Sequence, residues 1–231
     1  MHRVSFAIIF AMSLPLAGLA ETSHTSGTCP GIDVTATAPR ADLFDLICEA
    51  AIDQAARLSA CGIFPARPIK VTAVPKIEGL PANCVGAFHC DRDEILIVSP
   101  ETLASRDAPD FIYQGLKPEA AFVSILRHEL THALLEHTTE DHPINSAAHE
   151  YIAFAFQIEA MTDDERAIFL ETNGRRPAKS LETFNMFIYG LVPGRFASAA
   201  WVHYSAPDNG CGFVRDVIAG RVVLGTPLCL P

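Results

Sequence analysis

The chain has 231 residues, 49% of them hydrophobic and 19% charged, a composition that supports one folded domain or two small ones and argues against disorder. Acidic residues outnumber basic ones 27 to 17, for a net charge of −10, which disfavours nucleic acid and anionic membrane surfaces as partners.

Met1-His2-Arg3 is a basic start, Phe6 to Met12 an apolar run, and Gly18-Leu19-Ala20 supplies the small residues that a signal peptidase reads. Residues 1–20 are therefore expected to be a signal peptide cut after Ala20. The run is too short to span a bilayer. The expected product is exported, periplasmic or extracellular, and carries no membrane anchor. Residues 21–39, rich in Ser, Thr, Pro and Gly, read as an extended leader, and 40–231 as a single domain. All seven cysteines follow the cut, so an oxidising compartment should pair most of them and leave at least one over. Cys48 and Cys61 share one expected helix, about 20 Å apart along its axis, too far for a disulfide. Cys211 with Cys229 is the one expected pair.

From Asp42, the spacing of Leu43, Ile47, Ala51, Ala55 and Leu58 predicts an amphipathic helix ended by Gly62. Ile69 to Val74 alternates as a strand, and Cys84 to His89 is a second. Asp91-Arg92-Asp93-Glu94 lacks the ligand spacing of a calcium loop and reads as a solvated hairpin turn. The apolar run Ile95 to Val98 predicts a strand covered on both faces. Glu119 to Thr138 is apolar on most sides and predicts a central buried helix. Helices are expected at Asn145–Met161, at Thr162–Thr172 behind a Thr162/Glu165 capping box, and near Ser198–Tyr204 and Phe213–Ala219. Strands first and helices later predict an α+β fold in segregated layers, a small antiparallel or mixed sheet packed on the central helix.

His128-Glu129-Leu130-Thr131-His132 lies within that central helix. Residues four apart leave one helix face a turn apart, so both imidazoles can reach a single Zn²⁺. Glu129 sits about 100° round from His128, beside the metal without being forced to bind it, where a general base and acid belongs. Burying this polar set among Ile125, Leu126, Leu130 and Leu134 is costly unless something pairs with it.

These residues resemble the zincin metallopeptidases. The metzincin branch needs Gly and His where this chain has Leu135 and Thr138, with His137 one place early. The gluzincin branch takes a Glu from the next helix with a small residue three places on, and Glu150 with Ala153 fits. The resemblance covers about Ile69 to Met161, and the chain looks like a minimal version, similar to small secreted bacterial zincins. It implies a zincin-like fold, metal ligands His128, His132 and Glu150, catalytic Glu129, a Zn²⁺ cofactor and a peptide or protein substrate. It also implies that Cys84 to His89 is the sheet edge that binds an extended peptide. His149 is the competing third ligand. His137 and His142 are expected to face solvent near the helix end. A transition-state donor is sought at His203 or Tyr204, whose other reading is aromatic packing, and less at Tyr113, Tyr151 or Tyr189. The competing function is a non-catalytic protein in which zinc staples two helices and the surface binds a partner.

Overall fold

The computed structural model describes residues 24–81, 83–106 and 111–225. The expected signal peptide and Cys229 lie outside them. Five strands, β1 (Thr25–Thr28), β2 (Val34–Ala38), β3 (Ile69–Val74), β4 (Gly86–His89) and β5 (Glu94–Val98), form one mixed sheet in the order β1-β2-β3-β5-β4. β2, β3 and β5 run parallel, while β1 and β4 pair antiparallel at the two edges. The fold is α+β.

α1 (Ala41–Ser59) makes the crossover from β2 to β3, burying Leu43, Ile47 and Leu58. α2 (Pro100–Ala104) follows β5, and α3 (Pro118–Thr139) packs on β4, β5, α1 and α2. α4 (Ser146–Glu159) lies against α3, starting at Asn145, whose side-chain oxygen accepts from the Ala148 N–H at 2.9 Å. Behind it come α5 (Asp163–Asn173), a 3₁₀ turn at Leu181–Thr183, α6 (Met186–Leu191), α7 (Pro193–Tyr204) and α8 (Gly210–Ile218). The Thr162/Glu165 capping box is present at α5. α3 buries residues all round its circumference, as its sequence requires of a helix held between a sheet and another helix.

Four readings of the sequence need correction. Residues 21–39 do not simply lead into the domain, because from Thr25 they build two strands whose Val34, Ala36 and Ala38 are fully buried. The β5 run is covered on one face and only partly on the other: Ile95 and Ile97 are buried on the first, while on the second Leu96 is half-buried and Val98, at the end, is buried. His137 is buried, its Nε2 bonding Asp93 Oδ1 at 2.9 Å and its Nδ1 accepting from the Ala66 N–H. Asp93, in the hairpin turn with φ 47°, also pairs with Arg67 at 2.6 Å, so this turn is tied down to the end of α3. His142 is exposed, as expected. The fourth correction concerns Cys211, which bonds Cys61 instead of Cys229. α8 packs near the end of α1 and brings the two Cα atoms to 4.8 Å, a juxtaposition across 150 residues that spacing cannot reveal. Cys29 bonds Cys48, and Cys84 and Cys90 are free thiols among the described residues. Two disulfides point to an oxidising, extracellular or periplasmic setting. No described helix is long and apolar enough to cross a membrane.

Candidate metal centre

Contacts between α3 and α4 run in opposite sequence directions, with Arg127 bonding the Ala160 carbonyl and His132 facing Glu150. The two helices are therefore antiparallel, and the centre lies on their seam. His128 and His132, one turn apart, bring their Nε2 atoms to 3.0 Å. Glu150, from the second turn of α4, reaches His128 Nε2 at 3.4 Å and His132 Nε2 at 3.7 Å. Two ligand atoms each about 2.1 Å from a tetrahedral ion stand about 3.4 Å apart, so these separations suit one small cation. Glu150 Oε2 is buried with no hydrogen-bond partner, an orphan that a cation among the three donors would satisfy. His149 lies outside this group, its ring 5.8 Å from that of His132.

Two of the three donors hold the protonation state a cation needs. Burial, and then the neighbouring His128, hold His132 down to about 3, so it is neutral, the form that binds metal. Burial raises the Glu150 carboxyl, but His128 and the other imidazoles outweigh it and keep it ionised.

The side chain that orients the ligands was not legible as a site residue. Gln157, two turns after Glu150 on α4 and fully buried, places Oε1 2.9 Å from His128 Nδ1. The Gln157 amide nitrogen donates to Tyr113 Oη at 2.9 Å and Ser124 Oγ at 2.7 Å, which fixes the amide so that its oxygen accepts from the imidazole. His128 then carries its proton on Nδ1 and turns the Nε2 lone pair inward. The only available signal was a lone amide in the apolar run Tyr151 to Ile158. The Phe154 ring packs 4.4 Å from that of His128.

Glu129 is buried beside the centre and accepts from the Phe88 N–H of β4. Burial, aided by Glu150, pushes its carboxyl up to about 7, suited to taking and returning a proton near neutrality. β4 comes this close because Gly86 lacks a side chain: a Cβ there would lie 2.7 Å from both Ile125 Cγ2 and Glu129 Oε1. Two clefts open beside Glu129. One, of about 390 Å³, is walled by Phe88, Cys90, His132, His149 and Glu150. The other, of about 470 Å³, is walled by Gly86, Tyr113, His128, Phe154, Tyr189 and Leu191. Tyr189 from α6 stands near enough to Glu150 to feel its charge.

The two first-choice donors sit elsewhere. His203 bonds Tyr151 Oη at 2.7 Å within a ring cluster with Phe184 and Phe213, and Tyr204 donates to Glu159. Both do the packing work that was their alternative reading.

The profile of a family of unknown function, DUF6639, matches residues 34–227. The chain belongs to this family. The match contains His128, Glu129, His132, Glu150 and Gln157, the whole of the centre. No curated protein and no solved structure matches the chain.

Proposed function

We propose that the protein is an exported zinc peptidase of the gluzincin type, with a zincin-like fold, in which His128, His132 and Glu150 hold Zn²⁺ and Glu129 is the general base and acid. The reading is carried by one observation, the convergence of two imidazoles and an orphaned carboxylate beside a buried, proton-ready glutamate. When bound, zinc supplies Lewis acidity and makes water a nucleophile near neutral pH. Glu129 takes the proton from the attacking water and delivers it to the leaving amine. Tyr189, which lines the cleft shared by His128 and Glu129, is the tyrosine we assign to donate to the oxyanion that develops at the attacked carbon. The outer edge of β4, unpaired among the described strands, offers backbone groups to an extended peptide. A structural zinc is usually closed by four protein ligands. His149 was the available fourth, and it stands apart.

Elemental analysis of the purified mature chain should find one zinc per molecule, and a peptide-library digest should yield products. Glu129→Gln should keep the zinc and lose about 10²-fold or more in turnover. A variant that cleaves as fast as the parent removes the mechanism.

A further inference from the structure

Of the ten large hydrophobic side chains exposed among the described residues, five (Leu181, Met186, Phe187, Leu191 and Val192) fall within residues 181–192. Lone exposed hydrophobics need no explanation, whereas a cluster marks an interaction site. α6 turns about 100° per residue, so Met186, Phe187, Gly190 and Leu191 share an arc of about 140°. All four are exposed, while Ile188 and Tyr189 on the opposite arc pack against the core. The helix is thus apolar on both sides and covered on one.

Basic residues flank this face. Arg175, Arg176 and Lys179 precede it and Arg195 follows it. Arg176 and Arg195 wall the same hollow as Ile188 and Val192, which sets their charge beside α6. All four cations are exposed, and no described residue holds any of them in an ion pair. The nearby acids are Glu171, on the wall of that hollow, and Glu182. The net charge of −10 counts against an anionic surface for the molecule as a whole. Charge is felt over a Debye length, however, about 8 Å at physiological salt, so the local excess of cations decides here.

We propose that α6 and its basic flanks dock the protein on an anionic phospholipid surface. Phe187 and Leu191 enter the headgroup boundary, and the four cations meet lipid phosphates. Leu191 belongs both to the exposed face and to the wall of the cleft of about 470 Å³ beside His128 and Glu129, so docking holds that cleft at the lipid surface. A second copy meeting this face about a two-fold axis would set the same cations against themselves. A docked peptide helix needs a groove, whereas Phe187 stands out from the surface, 74% exposed.

The test is co-sedimentation of the purified full chain with vesicles of phosphatidylcholine, alone or mixed with an equal part of phosphatidylglycerol. The parent should bind the mixed vesicles only, and release them in about 1 M salt, where the Debye length is about 3 Å. Phe187→Ser with Leu191→Ser, and Arg175→Glu with Arg176→Glu, should each weaken binding about 10-fold or more. Both pairs replace exposed side chains, and an unchanged urea midpoint verifies the fold. Phe187→Trp should gain quenching by lipid brominated on its acyl chains that the parent, whose one tryptophan is Trp201 in α7, lacks. No binding to either vesicle, equal binding to both, or variants that bind like the parent overturn the proposal. So does a dimer in sedimentation velocity that Phe187→Ser dissociates. None of these readouts needs zinc or turnover, so their failure is distinct from a failure of the peptidase reading.

Discussion

Gln157 is not one of the three donors, yet it decides which nitrogen of His128 faces the centre. Replacing it with Leu keeps the volume and removes the acceptor, so zinc affinity should fall about 10- to 100-fold in a competition against a chelator. Gly86 sets the other side of the site. Gly86→Ala should force β4 away from α3 and lower stability by about 1–3 kcal/mol, read as a lower urea midpoint. The ligands themselves were legible because helical spacing converts sequence offsets into one face, and Glu150 with Ala153 supplied the third. Gln157 was not, and Tyr113 and Tyr189 were named only as lesser donor candidates, because their roles depend on which side of α4, α6 and the 111–117 segment meets His128 and Glu150 in three dimensions.

Among the elements, α1, α3, α4, β3 and β5 followed from periodicity and caps to within a residue or two. β1 and β2 escaped because Thr, Ser and Gly carry little periodic signal, and their pairing with β3 is a tertiary choice. α2 and α6 are too short for a pattern to show. The β4–β5 turn was located correctly but its bonding was not. Burial raises the Asp93 carboxyl, but hydrogen bonds from His137 and Arg67 more than offset this and hold it below its ordinary 3.8. Its contribution is therefore complete above that value and fades as the pH falls through the lower folded one. Asp93→Asn, which tolerates the same backbone angle, should cost about 2 kcal/mol in urea unfolding at pH 7. The gap between variant and parent should narrow at pH 3 and below. A constant gap would show that the charge is not what matters.

Across the whole molecule, segregated layers were foreseen from the order of strands and helices, whereas the long-range disulfide was not. Loop-closure entropy ranks the two bonds. Cys61–Cys211 spans 150 residues and should contribute about 5 kcal/mol, against about 3 for the 19-residue span of Cys29–Cys48. Paired Ala substitutions, compared by urea midpoint, should preserve that order. Beyond stability, the longer bond closes a covalent ring of which α3 and α4 are both part. A single protease cut anywhere between Gly62 and Gly210 opens the chain without parting the pieces. The fragments bearing His128, His132 and Glu150 stay fastened, and a clipped molecule migrates as one species until it is reduced.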